Sequence, residues 1–269
     1  MNHAIDKLKV PLDKKTKLED IDPDNTHGLT KEDAAEVHAK HLERLSVLQY
    51  QLYAEGRRAV LAVLQGIDAA GKDGTIRRVM TGLNPQGVEV TPFKVPEGKE
   101  KRHDYLWRVH NAVPDYGEIG IFNRSHYEDV LVVRVHGLVP KSVWSKRYRQ
   151  INDFERMLSE NGVTIIKFLL YISKEEQAKR FRERLEDKRK NWKFSPSDLK
   201  EREYWDAYIE AYNEVLEKCN TEYAPWYVIP ANKKWFRNLA VAQILLETME
   251  GMKMQFPKPS GDLSKIQFE

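Results

Sequence analysis

Residues 66–75 read Gly-Ile-Asp-Ala-Ala-Gly-Lys-Asp-Gly-Thr, and no other stretch limits the folds open to this chain so sharply. The run G-x-x-x-x-G-K follows directly on AVLAVLQG (59–66), a short apolar segment ending in glycine, the pattern of a strand buried on both faces. A helical stretch over 73–83 comes next. A glycine loop between strand and helix is the setting a phosphate-binding loop requires. Its glycines let the backbone wrap closely around phosphate oxygens, and successive N–H groups point inward at the positive end of the following helix. Ala69, Ala70, Gly71, Lys72, Asp73, Gly74 and Thr75 form the expected cradle, with Lys72 placed to neutralise a transferred phosphoryl group. Two acids are unusual here. Asp73 stands where a Ser or Thr normally holds magnesium, and whether Thr75 substitutes is left open by the sequence. Asp68 would repel phosphates unless a metal intervenes, so it is read as a magnesium ligand.

Four more strand candidates follow: VEVTPFKV (88–95), EIGIFN (118–123), VTIIKFLLYIS (163–173) and WYVIPA (226–231). A leading helix begins near Thr30 and carries Leu42, Leu45, Leu48 and Leu52 at helical spacing. Further helical stretches fall at 101–113, about 126–134, 140–161, 174–189, 197–220 and 234–252. Strands alternating with helices predict an α/β fold of three layers, α/β/α, around a five-stranded parallel core sheet. Ligands of such sheets bind beyond the carboxyl ends of the strands. Residues 1–29 read as a mostly extended arm, 30–257 as one domain and 258–269 as a tail.

The third strand ends in Asn123-Arg124-Ser125-His126-Tyr127-Glu128-Asp129. A strand ending in an acid is the usual second half of a phosphate-loop site. Here Asn123 holds that place, able to bind a metal but uncharged, while Glu128 and Asp129 lie close enough to supply a carboxylate. Arg124 offers a bidentate hydrogen bond to phosphate, or an ordinary surface ion pair. His126 reads as a packing residue. Residues 174–193, KEEQAKRFRERLEDKRKNWK, are dense in cations, and on one helix Arg180, Arg184 and Lys188 fall on a single stripe. Such a stripe suits a polyanion; on charge alone, a solvated helix laced by pairs such as Glu176–Arg180 is the favoured explanation. His38 and His41 are three apart with no third metal ligand evident, and the apolar helix 234–252 reads as packing.

Composition narrows the classes. Apolar residues make up 41% and charged residues 32% of 269, enough for a real core. With 44 Lys and Arg against 41 Asp and Glu, the net charge of +3 argues against a nucleic-acid partner. The single cysteine, Cys219, excludes an intramolecular disulfide. No apolar run approaches the roughly 20 residues that span a bilayer, and MNHAIDKLKVPLDKKTKLED lacks the apolar core of a signal peptide. A soluble cytoplasmic protein without membrane contact is expected.

The segments GIDAAGKDGTIR, GVEVTPFKVPEG, KRHDYLWRVH, GEIGIFNRSHYEDVLVVRVH and EYAPWYVIPANKKW resemble the polyphosphate kinase 2 family, over about 30–257. The resemblance implies a P-loop kinase fold with a helical lid at about 174–205. It implies magnesium-dependent transfer, manganese being a substitute, with Asp68 and Lys72 in the phosphate loop and Arg124 at the reacting phosphates. Expected partners are inorganic polyphosphate and nucleoside mono- and diphosphates, with a homo-oligomer as the assembly. Diphosphate-preferring members carry Asp at the position of Asn123 and Asn near that of Glu128; the pairing here resembles class III, which accepts AMP as well as ADP. Asp68, Asn123 and Glu128 are the metal candidates. Lys94, Arg102, Asp104 and Arg134 join Asn123, Arg124 and Glu128 as nucleotide-binding candidates, while Arg77, Arg78, Arg180, Arg184 and Lys188 join the loop as polyphosphate-binding candidates. A conventional ATP-dependent nucleotide kinase and a non-catalytic polyanion-binding protein are the alternatives.

Overall fold

The structure, a computed structural model, describes residues 7–262; the outer ends of the expected arm and tail, 1–6 and 263–269, lie outside the described residues. The run AVLAVLQ forms β1 (Ala59–Gln65), buried along its whole length. β2 (Val88–Pro92), β3 (Ile119–Asn123), β4 (Val163–Tyr171) and β5 (Trp226–Pro230) join it in one sheet of order β2-β3-β1-β4-β5. Every neighbouring pair is parallel. Leu64 of β1 lies opposite Asn123 of β3, so the loops that follow these strands leave the sheet at one level.

Alternate residues of β1 feed two cores. Ala59, Leu61 and Val63 enter one, and Val60, Ala62 and Leu64 the other. This is the period of two expected of a strand covered on both faces. The helices are α1 (Lys31–Glu55), α2 (Lys72–Val79), α3 (Trp107–His110), α4 (Val132–Val135), α5 (Lys141–Glu160), α6 (Lys174–Glu186), α7 (Pro196–Glu201), α8 (Trp205–Lys218) and α9 (Lys234–Gly251). Buried side chains of α1, α2 and α9 fill the second core, and those of α3, α5 and α8 the first. The expected three-layer α/β/α arrangement is present.

The arm is docked on the sheet. Val10 N donates to Trp226 O and Val228 N to Leu8 O, both at 2.9 Å, around an antiparallel bridge between Lys9 and Tyr227. It covers the outer edge of β5, whose backbone groups would otherwise be open to pairing.

Several helical expectations differ from the structure: α2 stops at Val79 rather than at 83, and the stretch about 126–134 is a 3₁₀ turn (His126–Asp129) followed by the single turn of α4. The stretch 101–113 is a 3₁₀ turn (Gly98–Arg102) followed by the single turn of α3, because Asp104 Oδ1 accepts from Leu106 N and starts a new turn. The stretch 197–220 breaks into α7 and α8 at the 3₁₀ turn Arg202–Tyr204. α6 stops at Glu186, since Asp187 takes an extended backbone (φ −93°, ψ 104°) and accepts from Arg189 N, Nε and Nη2.

Candidate active site

The phosphate loop joins β1 to α2 at the carboxyl end of the sheet. Gly66 has φ 153°, and a Cβ there would meet Leu170 O at 2.7 Å, so only glycine allows the loop to start this close to β4. Lys72 opens α2 and folds back, its buried Nζ donating to Gly66 O at 2.6 Å. Burial, with repulsion from Arg124 added, pulls the ammonium down to about 8, although Asp68, Glu128 and Asp73 oppose the shift. A phosphate anion at this point would favour the charged form and raise the value again. Thr75 Oγ1 donates to Gly71 O at 3.1 Å and the residue is buried, so Thr75 serves the helix start.

Arg124 crosses from the end of β3 to this loop. Its backbone sits in the left-handed region (φ 62°), fixed by Arg124 N donating to Leu64 O at 3.0 Å. Such a conformation in a non-glycine residue costs about 1–3 kcal/mol and is held only by its surroundings. From there Nη2 donates to Asp68 Oδ1 at 2.6 Å and Nη1 to Glu128 Oε2 at 3.0 Å. Behind it, Ser125 and Tyr127 lock the turn. Ser125 Oγ accepts from Gln65 Nε2 and from Tyr127 N, and Tyr127 Oη donates to Glu155 Oε1 at 2.8 Å. Glu155 also takes Lys167 Nζ at 2.6 Å and pairs with His126 Nε2 at 3.1 Å, all fully buried. Burial works against the Glu155 carboxylate, yet Lys167 and His126 outweigh it and hold its pKa below the ordinary value. His126 is thus a packing residue, as its sequence context indicates.

Two cavities meet at Arg124. One, of about 390 Å³, is lined by the loop residues Asp68 to Gly74 other than Ala70, and by Pro92, Phe93, Lys94, Asn123, Arg124, Arg184 and Lys193. The other, of about 380 Å³, is mainly apolar: Phe93, Val95, Pro96, Val132, Val133 and Leu138 line it, with Lys94, Arg108, Arg124, Glu128 and Asp129 among them. Lys193, beyond α6, reaches across the first cavity and donates to Asp73 Oδ2 at 3.0 Å, while Asn123 Nδ2 donates to Asp73 Oδ1 at 2.9 Å. Burial raises the Asp73 carboxyl, but these two hydrogen bonds outweigh it and leave the group below its ordinary value.

The structure brings together Asp68, Ala69, Gly71, Lys72, Asp73, Gly74, Lys94, Asn123, Arg124 and Arg184 around the first cavity, and Glu128 beside the second. It corrects other expectations. Arg180 is buried beneath the loop and donates to the carbonyls of Ala69, Ala70, Ala231 and Asn232, so it supports the loop from below. Lys188 lies past the end of α6, exposed and off the helical stripe. Arg134 is held by Glu210, Glu214 and Tyr148 and stacks 4.7 Å over Trp144, on the α5–α8 side. Arg77 and Arg78 are exposed on α2 and line neither cavity, as is true of exposed Arg102; Asp104 caps the turn at Leu106. Sequence reasoning missed Lys193, although it lies within the cation-dense stretch, and Arg108, which lines the apolar cavity.

Among the described residues no group of three or more His, Cys, Asp or Glu stands ready to hold a metal. The donors fit magnesium all the same, because Mg²⁺ keeps several waters and takes one or two carboxylates plus substrate phosphates. Asp68 and Asp73 supply two carboxylates to one cavity. Asn123 donates its amide to Asp73, which leaves its carbonyl oxygen as the donor to a metal. Glu128, held by Arg124 as Asp68 is, lines the other cavity.

The sequence profile described as Polyphosphate kinase 2 (PPK2) matches residues 28–257. The chain belongs to the polyphosphate kinase 2 family. It is 55% identical over 265 residues to the AMP/ADP-polyphosphate phosphotransferase of Meiothermus ruber, covering 98% of this chain and 99% of that one. It is 49% identical over 241 residues to the ADP-polyphosphate phosphotransferase of Rhodopseudomonas palustris, covering 85% and 83%. The crystal structure of Polyphosphate Kinase 2 from Arthrobacter aurescens TC1 superposes with a TM-score of 0.92 at 45% identity, over 96% of this chain and 93% of that one. The polyphosphate kinase 2 fold therefore extends over nearly the whole chain. No described helix is long and apolar enough to cross a membrane.

Proposed function

We propose that this enzyme transfers a phosphoryl group between inorganic polyphosphate and AMP or ADP, with polyphosphate on the loop side and the nucleotide opposite. The observation that carries this reading is the pair of unlike cavities sharing Arg124. The first offers Lys72, Arg184, Lys193 and loop backbone and is less apolar than the second, which suits a repeating anion. The second offers Phe93, Val95, Pro96, Val132, Val133 and Leu138, an apolar seat for a nucleoside, with Arg108 and Arg124 for its phosphates. The names of the relatives, AMP/ADP-polyphosphate and ADP-polyphosphate phosphotransferase, support the same substrates.

Catalysis here is positioning and charge neutralisation. Lys72 and Arg124 flank the point where donor and acceptor phosphates meet, and Arg124 is oriented by Asp68 and Glu128. The attacking group is an anionic phosphate oxygen, so no general base is needed. Mg²⁺ held by Asp68 and Asp73, with Asn123 beside them, would supply neutralisation of charge on the phosphates. A cytoplasmic homo-oligomer completes the proposal, the assembly being read by light scattering.

The test is AMP and ADP phosphorylation with long-chain polyphosphate in ATP-free buffer. Product formation that disappears in Lys72→Ala is expected, with a loss of at least about a hundredfold, near 2.7 kcal/mol of barrier. Turnover only when ATP replaces polyphosphate would return the chain to the conventional nucleotide kinases. Polyphosphate binding without any turnover would make it a polyanion-binding protein.

A further inference from the structure

Two guanidinium groups lie directly beneath the phosphate loop, and only one is matched by a carboxylate. Arg180 donates to Glu176 Oε1 at 2.8 Å as well as to loop carbonyls. Arg237, from α9, is 4% exposed and donates to Ala70 O at 3.2 Å and to Asn238 Oδ1 at 2.9 and 3.2 Å. Among the described residues it has no carboxylate partner. Burial, with repulsion from Arg180, pulls its pKa down to about 9. A buried cation without a counter-charge costs stability, so its place here needs a reason beyond packing.

The loop is shaped around this group. Gly71 has φ 107°, and a Cβ there would overlap the Arg237 guanidinium; at Gly74 a Cβ would touch Arg237 Nη2 at 3.4 Å. Arg180 and Arg237 both hold the Ala70 carbonyl. No described peptide is cis, and a trans peptide carries its C=O and N–H on opposite edges of one plane. With the Ala70 carbonyl drawn down to the arginines, the Gly71 N–H is turned up, on the side of the cavity that Gly71 lines.

We propose that Arg237 is a positioning residue for polyphosphate: it fixes the Ala70–Gly71 peptide with its N–H toward the donor phosphates and lends the loop a positive charge that water does not screen. The proposal rests on assigning polyphosphate to the loop cavity. A polyanion bound there supplies the missing counter-charge, which explains why a lone guanidinium is kept. A purely structural Arg237 would instead show itself as lower stability with unchanged anion binding.

The experiment measures tripolyphosphate and AMP binding by calorimetry, with thermal unfolding of the free protein, for wild type, Arg237→Lys, Arg237→Gln and Asn238→Ala. Arg237→Gln is expected to weaken tripolyphosphate by about tenfold or more while AMP stays within about twofold, because a charge-assisted interaction acting in low dielectric is removed on one side of the site only. Its free Tm is expected to hold or rise, an unpaired buried charge having been removed. Arg237→Lys keeps the charge and should lose only about threefold. Asn238→Ala releases two of the guanidinium hydrogen bonds and, by loosening the group without removing its charge, should weaken tripolyphosphate by about threefold or more. Tripolyphosphate affinity within about twofold of wild type in Arg237→Gln, or in Asn238→Ala should the former not fold, overturns the proposal. Equal losses in Arg237→Lys and Arg237→Gln overturn the charge role. A wild type that binds no tripolyphosphate would instead remove the assignment of the cavity, and this proposal with it.

Discussion

Arg124 is divided between two carboxylates, Asp68 at 2.6 Å and Glu128 at 3.0 Å, and each bond carries a different prediction. Asp68→Asn replaces a charged donor at the loop by a neutral one. The Mg²⁺ concentration for half-maximal rate should rise by about tenfold, read from rate against free Mg²⁺. An unchanged Mg²⁺ profile with a lowered rate would leave Asp68 as the orienting partner of Arg124 alone. Glu128 lines the apolar cavity, proposed above as the seat of the nucleotide. AMP is one phosphate shorter than ADP, so its phosphate must be brought further toward the loop. Glu128→Gln should depress kcat/KM with AMP about tenfold more than with ADP, a difference near 1.4 kcal/mol. Equal losses on both acceptors would mean that Glu128 only orients Arg124. The loop and the 123–128 segment were legible because their residue types sit where the strand pattern ends. Lys193 and Arg237 were not. Lys193 was hidden because one cation-rich stretch allows several stripes, and only the end of α6 at Glu186 decides which cation turns toward the loop. Arg237 lies in a helix whose other buried residues are mostly apolar, so the stretch reads as packing and nothing in its spacing singles out the one arginine turned to the loop.

At the scale of elements, the segment proposed as a lid is a broken helix. α6 brings Gln177 and Arg180 against the loop: Gln177 Nε2 donates to Asp68 O at 2.9 Å, and Arg180 to the next two carbonyls. This first half is bolted to the body. The later half bears Arg184 and Lys193, both lining the phosphate cavity, and it reaches the loop through the hydrogen bond from Lys193 to Asp73. Neutralising Arg184 and Lys193 together should raise the KM for polyphosphate at least about fivefold and leave the nucleotide KM within about twofold. The slope of log affinity against log salt should also flatten by up to about two charges, since a site with fewer cations on the polyanion displaces fewer counterions when it binds. A variant that raises only the nucleotide KM would show that this segment closes over the acceptor. β1, β3, β4, β5 and the long helices α5 and α9 lie within two residues of the expected bounds, and α1 starts where expected, because their apolar patterns are clear; β2 ends at Pro92, three residues short of the expected 95. The short turns around 98–110 and 196–204 were not expected, because single side-chain caps such as Asp104 and Ser195 decide them.

Across the whole molecule, the sheet is tied to the reacting loop by ions buried in its first core. Lys167 sits on β4, next to the central strand β1, fully buried, and donates to Glu155 Oε2 at 2.6 Å, Tyr127 Oη at 2.9 Å and Cys219 O at 2.7 Å. Glu155 in turn holds His126 and Tyr127, on the turn that carries Arg124 and Glu128. The sequence shows Lys167 only as a polar interruption in VTIIKFLLYIS, and nothing in linear spacing pairs it with residue 155. Removing one partner strands the other. Glu155→Gln should therefore cost about 3–5 kcal/mol at pH 7, measured by urea unfolding, because the Lys167 ammonium keeps its burial and loses its counter-charge. Adding Lys167→Met in that background should recover part of the loss, since a well-packed apolar pair replaces a broken ionic one. The pH dependence follows from the lowered pKa of Glu155. A carboxylate depressed in the folded state stabilises above its unfolded pKa, about 4.3, and that contribution is lost as pH falls through the folded value. Wild-type stability should thus drop more steeply below about pH 4.3 than that of Glu155→Gln, which has no such proton to bind. A cost under about 1 kcal/mol at pH 7, or parallel acid limbs for the two proteins, would show that the ions are incidental to the fold and that the Arg124 turn is held by packing alone.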